Sequence, residues 1–129
     1  MTILSLDLGK KRIGLAISHG IVAEGYTTLK FDERNPDKFL GSLEEVVLKE
    51  GIDKIIVGLP LGQDGKDTDQ SVWTKSLAQK IEETLDLKVI FVEESYSTSQ
   101  ARDEGGDLDQ QSARIILEQY LNETENLPL

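Results

Sequence analysis

The 129-residue sequence contains no cysteine and a single histidine, His19. Disulfides, thiolate nucleophiles, Cys-ligated zinc and multi-histidine metal sites are thereby excluded. Aromatic residues make up 5%, with one Trp and only three Pro. No apolar run approaches the length that crosses a bilayer, so a membrane protein is not expected. The first residues, MTILSLDLGKKRIG, have no basic segment ahead of their apolar stretch and read as a strand, not a secretion signal. Positive charge is also scarce, with 14 Lys and Arg against 24 Asp and Glu and a formal net charge of −10. Proteins that grip nucleic acid usually present a basic face, because phosphate neutralisation supplies much of the affinity. The acidic balance counts against that class, whereas it suits a site that concentrates divalent cations. These properties predict a cytoplasmic protein with one domain over residues 1–129, ending in a flexible tail at 123–129.

What is present is a regular pattern of short elements. Residues 2–8, 12–18 and 21–30 read as three strands joined by short links, hence an antiparallel meander. Helix and strand then alternate. Asn35 and Pro36 open a helix carrying the stripe Phe39, Leu40, Leu43, Val46 and Val47, and Gly51 stops it. KIIVG at 54–58 and KVIFV at 88–92 are wholly apolar, as strands buried on both faces are. Between them lies a helix near 69–85, with Val72, Leu77, Ile81 and Leu85 as its inner face. A last helix at about 109–122 buries Ala113, Ile116, Leu117, Tyr120 and Leu121. The order βββ-α-β-α-β-α predicts an α/β fold of the RNase H-like kind. Its mixed five-stranded sheet joins a three-strand antiparallel meander to alternating helix-strand units, with helices on both faces.

Few residues can carry chemistry. Asp7 interrupts the apolar first strand, and a buried carboxylate is costly unless it is paired or binds a cation. Its structural alternative is a cap on the following glycine turn. Glu93 and Glu94 close the strand KVIFV; adjacent strand residues point to opposite faces, so only one can share a site with Asp7. Asp109 heads the last helix, where an ordinary N-cap would also explain it. Gly9-Lys10-Lys11-Arg12 is the densest basic run and directly follows Asp7. A cluster of three carboxylates without His or Cys suits Mg²⁺ or Mn²⁺.

DLGKKRIGLA (7–16), IIVGLPLGQDG (55–65), EESYST (93–98) and LDQQSARIILEQYL (108–121) together resemble the YqgF family. Its members are described as Holliday-junction-resolvase-like proteins and as nucleases that process the 5′ end of pre-16S rRNA. The resemblance implies a divalent-metal phosphodiesterase site. Asp7, Glu94 and Asp109 fall on its acidic positions as catalytic residues and ligands of Mg²⁺ or Mn²⁺, with Glu93 in the place of a family aspartate. Lys11 matches the motif's lysine, and Lys10, Lys11 and Arg12 are expected to meet substrate phosphates. Gly58, Pro60 and Gly65 match the family's loop. Ser95 stands where the family has arginine, and the 99–108 segment is short and acidic, with Arg102 its only cation. The partner implied is nucleic acid, pre-rRNA or branched DNA, met by a monomer or weak homodimer. A catalytically weak binding or scaffold module on the same fold is the alternative.

Overall fold

Alternation along the strands sorts the side chains into two layers, and everything at the site follows from that sorting. The computed structural model describes residues 1–94 and 107–125. Its elements are β1 (Ile3–Leu8), β2 (Arg12–Ser18), β3 (Glu24–Lys30), α1 (Pro36–Glu50), β4 (Lys54–Leu59), α2 (Asp69–Leu85), β5 (Val89–Glu93) and α3 (Leu108–Glu125). The sheet order is β3-β2-β1-β4-β5. β1, β2 and β3 pair antiparallel, while β4 lies parallel to β1 and β5 parallel to β4. This is the mixed five-stranded RNase H-like arrangement expected from the element order. Ser95 and Arg102 lie outside the described residues, as do positions 126–129 of the expected tail. Among the described residues, no helix is long and apolar enough to cross a membrane.

On one face Leu4, Leu6 and Leu8 of β1 join Ile13, Leu15 and Ile17 of β2 and Ile55 and Val57 of β4. Phe39, Leu40 and Leu43 of α1 and Leu77, Ala78 and Ile81 of α2 cover them. The opposite face carries Ile3, Ala16, Ile56 and Val92 under Ala113, Ile116 and Leu117 of α3. Small residues interrupt that second face. Ser5 is fully buried and donates from Oγ to the Ala113 carbonyl at 2.6 Å. A Cβ on Gly14 would overlap the backbone carbonyl of Asp109, and one on Gly25 would stand 3.2 Å from Gln110. Glycine is required at position 14 because backbone packs on backbone there.

Several boundaries differ from the sequence reading. β3 starts at Glu24, not at residue 21, and Ile21 and Val22 are exposed. α2 matches its predicted span, yet Val72 faces solvent, and Ser71, Thr74 and Ala78 are buried with Leu77 and Ile81. The phase is set by a capping box in which Thr68 and Ser71 bond reciprocally, turning Ser71 inward. Asn35 does precede α1 but makes no side-chain cap bond, while Gly51 ends the helix in the left-handed conformation. α3 runs from Leu108 to Glu125, longer than its apolar stripe alone suggested.

The close approach of α3 makes Gly14→Ala a sharp test. We expect it to destabilise the protein by about 2 kcal/mol or more, since overlap with backbone cannot be relieved by a rotamer change. Gly41→Ala, at an exposed helical position where a Cβ meets nothing within 4 Å, should instead stabilise by about 0.5–1 kcal/mol. Urea unfolding of the two variants distinguishes these outcomes.

Candidate active site

Asp7 lies one residue from the end of β1, on the face that α3 covers, and is paired in register with Gly14. Of the two consecutive glutamates, parity selects Glu94. Ile90 and Val92 pack under α3, so Glu94 continues on their side of the sheet, whereas the exposed Glu93 turns the other way. The Glu94 backbone N–H donates to the Leu59 carbonyl at 3.1 Å, extending the β4–β5 ladder to the site. Gly58 then leaves room for the Glu94 carboxyl, because a Cβ there would stand 2.7 Å from Glu94 Oε1 and 2.5 Å from Ile116 Cδ1.

Asp7 and Glu94 are joined by a side-chain hydrogen bond, and both are shifted toward the protonated form. Burial is the larger cause at Asp7, the negative charge of Asp109 adds to it, and the bond from Glu94 works against it, leaving the carboxyl at about 6. Burial again leads at Glu94, followed by the charge of Asp7 and the shared hydrogen bond, which together push it up to about 7. The direction of that bond follows: Glu94 donates and Asp7 accepts. The proton belongs to the pair.

Asp109 is not the cap of the last helix. Asp107 takes that role, accepting from the backbone N–H groups of Asp109 at 2.9 Å and Gln110 at 3.3 Å. Desolvation opposes ionisation of Asp107, but bonds from Thr28 and these backbone groups, with the charge of Arg12, hold its carboxyl below the ordinary range. Asp109 is thereby free of capping. It sits over Gly14 and accepts from Arg12 Nε at 2.9 Å through Oδ2. Asp107 was not singled out in the sequence, although D-L-D before an apolar stripe offers two cap candidates, and the helix begins after the first.

The three basic residues after Asp7 diverge. Arg12 turns to Asp109, Lys10 stands 5.8 Å over the Trp73 ring, and Lys11 faces a cavity beside β3 and α1. The loop carrying Pro60 and Gly65 is closed by its own bonds, with Gly62 N–H to the Lys66 carbonyl and Gly65 N–H to the Gly62 carbonyl, both at 2.9 Å. Gly65 has a φ of 76°, which explains glycine in that motif.

A family model described as RuvX, Holliday junction resolvase, matches residues 1–123. The chain belongs to the RuvX family. It is 33% identical to a protein of Maridesulfovibrio salexigens named "Putative pre-16S rRNA nuclease", over 94% of this chain and 98% of that one. A protein of the same name from Caldanaerobacter subterraneus subsp. tengcongensis is 34% identical, over 98% and 99% of the two chains. Among solved structures, Thermus thermophilus RuvC in complex with a Holliday junction substrate superimposes with a TM-score of 0.65 at 11% identity, covering 98% of this chain and 96% of RuvC. That likeness is one of fold, and it agrees with the RNase H-like topology of this RuvX chain.

The donor set fits a divalent cation. Two half-buried carboxyls sharing a proton beside a third carboxylate offer only oxygen ligands, as Mg²⁺ and Mn²⁺ prefer. Among the described residues, no three acidic or histidine side chains converge as a ligand set, and the Asp109 carboxylate accepts from Arg12.

A pH prediction follows from the raised pair. Asp7 and Glu94 bind protons more tightly folded than unfolded, so between the ordinary carboxylate range and about 7 the folded state carries the extra proton. Stability is therefore greatest below the unfolded values and falls as pH rises through that window. Asp67 and Asp107, shifted the other way, act below the ordinary carboxylate range and leave this window clear. In chelator, thermal unfolding should show a loss on the order of 2 kcal/mol from pH ~5 to pH ~8. Asp7→Asn should make the profile shallower, leaving the part that burial of Glu94 contributes; an equally steep slope in that variant would refute the pairing.

Proposed function

We propose that this RuvX protein is a Mg²⁺- or Mn²⁺-dependent nuclease that hydrolyses phosphodiester bonds in structured nucleic acid. Trimming of the 5′ end of pre-16S rRNA is the favoured reaction, and resolvase-like cleavage of branched DNA is the related one. The observation that carries this reading is the proton-sharing Asp7–Glu94 pair with Asp109 beside it. Carboxyls held apart from their ordinary protonation at such cost mark a site built for something other than stability. The names of the 33–34% identical relatives support the rRNA substrate.

Asp7, Glu94 and Asp109 would hold the ion and serve as the catalytic carboxylates. A bound divalent ion would supply an activated water and offset charge on the leaving oxygen. Asp7 and Glu94 must give up their shared proton to receive it. Arg12 is placed to exchange the Asp109 carboxylate for a substrate phosphate, since its guanidinium is 64% exposed and the carboxylate it holds 28%. Lys11, next to it in sequence, would meet the same backbone, and Lys10 a neighbouring phosphate.

Purified protein should cleave a pre-16S rRNA leader or a four-way junction when Mg²⁺ or Mn²⁺ is supplied. Asp7→Asn should reduce the rate roughly 10³-fold, the scale of several kcal/mol of metal-borne charge stabilisation. Mn²⁺ at pH ~8 should also raise the melting temperature of the parent protein and leave that of Asp7→Asn unmoved. Cleavage that survives intact in Asp7→Asn would sink the proposal.

A further inference from the structure

The basic run Lys10, Lys11 and Arg12 is joined in space by Lys30 and Lys38, on a chain with only fourteen Lys and Arg residues. Four of them, Lys11, Arg12, Lys30 and Lys38, line a cavity of about 510 Å³ where the β2–β3 hairpin meets the start of α1. The placement comes from pairing. Arg12 and Lys30 are register partners across the two strands, and the Phe31 N–H donates to the Lys11 carbonyl at 2.9 Å. Lys38 reaches the same cavity from the first turn of α1. Phe31 and Phe39, packed edge to face with centroids 5.5 Å apart, form its apolar floor.

Among the described residues, no carboxylate forms an ion pair with Lys11, Lys30 or Lys38. Asp32 also lines the cavity, but its Oδ1 accepts the Arg34 backbone N–H at 2.9 Å and lies 3.9 Å from Arg34 Nε. On a chain of net charge −10, three lysines without an ion pair among the described residues thus line one cavity beside Asp32. Arg12 connects it to the acidic site, because the same guanidinium that borders the cavity holds Asp109.

We infer that this cavity is a strand-holding subsite, in which Lys11, Lys30 and Lys38 take successive phosphates of an unpaired stretch of the substrate over a floor closed by the buried Phe31 and Phe39. A positively charged groove that tracks the backbone is one element by which proteins hold single strands without reading sequence. The cavity's size falls within the range of sites that enclose a small ligand. A strand anchored here enters the acidic site past Arg12, so the subsite sets which phosphodiester reaches Asp7. This inference rests on the proposed nuclease function and adds Lys30 and Lys38 to it.

The test uses a labelled single-stranded oligoribonucleotide and the matching oligodeoxyribonucleotide, with binding followed by anisotropy across a salt series in the Asp7→Asn background, where nothing is cut. Lys30→Ser/Lys38→Ser should weaken binding roughly tenfold at physiological salt and lower the salt slope by about 1.4, the value for two single-strand phosphate contacts. Lys49→Ser/Lys88→Ser, removing two exposed lysines elsewhere, should change neither quantity. In otherwise native protein, the first pair of substitutions should raise KM for the cleaved substrate. Unchanged melting temperatures confirm that both double variants are folded. Affinity and salt slope that stay at the parent's values overturn the subsite alone, whereas a parent that neither binds nor cuts either nucleic acid overturns the nuclease reading beneath it. A loss confined to one sugar type identifies which nucleic acid the cavity holds.

Discussion

The tight seat of α3 on the sheet is the constraint from which the site follows. Ser5, Gly14, Ala16, Gly25 and Gly58 interrupt the larger side chains of that face, so the start of the helix lies against the strand backbone at Gly14. Its first turn then comes down over Gly14, the register partner of Asp7. A normal apolar layer would hold a helix about 10 Å from the sheet and keep its first turn clear of Asp7. Here the negative charge of Asp109 is felt directly by Asp7. The same economy at Gly58 brings Glu94 in from the other side. Burial that would merely stabilise an apolar residue becomes, at these carboxyls, the force that holds a proton near neutrality.

Much of this was readable from the residues. Hydrophobic patterns and turn residues located the five strands and three helices of the described residues, and the meander-then-alternation order gave a mixed sheet, while the sheet order itself came from the structure. Asp7 stood out because a charge inside an apolar strand conflicts with its surroundings. The choice between Glu93 and Glu94 was not settled by composition, since both are acidic strand-end residues. It needed the parity of KVIFV relative to α3, which depends on which face that helix covers. Val72 shows the opposite failure: an apolar residue in a helical stripe faces water because the Thr68–Ser71 capping box sets the helix phase. Hydrophobicity alone does not carry that information.

The acidic composition, which argued against a nucleic-acid partner, loses force once the charges have positions. Net charge governs the far field, whereas binding is decided within roughly a Debye length of 8–10 Å. At the hairpin end Lys11, Arg12, Lys30 and Lys38 line one cavity with Asp32, and these cations come from parts of the chain as distant as Lys11 and Lys38. Only the basic run at 10–12 is visible as a motif. Lys30 and Lys38 join it through strand register and the start of α1, so no linear pattern announces them.

Arg12 ties the two charged regions together, and its position resolves an apparent contradiction. Three carboxylates placed close together without a cation repel one another, and the molecule answers in two ways. Asp7 and Glu94 share a proton, and Asp109 takes a guanidinium. Both answers are reversible: a proton leaves near pH 7, and an exposed Arg12–Asp109 ion pair is worth at most about 1 kcal/mol. A more stable arrangement would replace one carboxylate with a neutral group and bury it. Here one proton shared by Asp7 and Glu94 and a guanidinium on Asp109 offset the charge of the three, and each of these partners is weakly held.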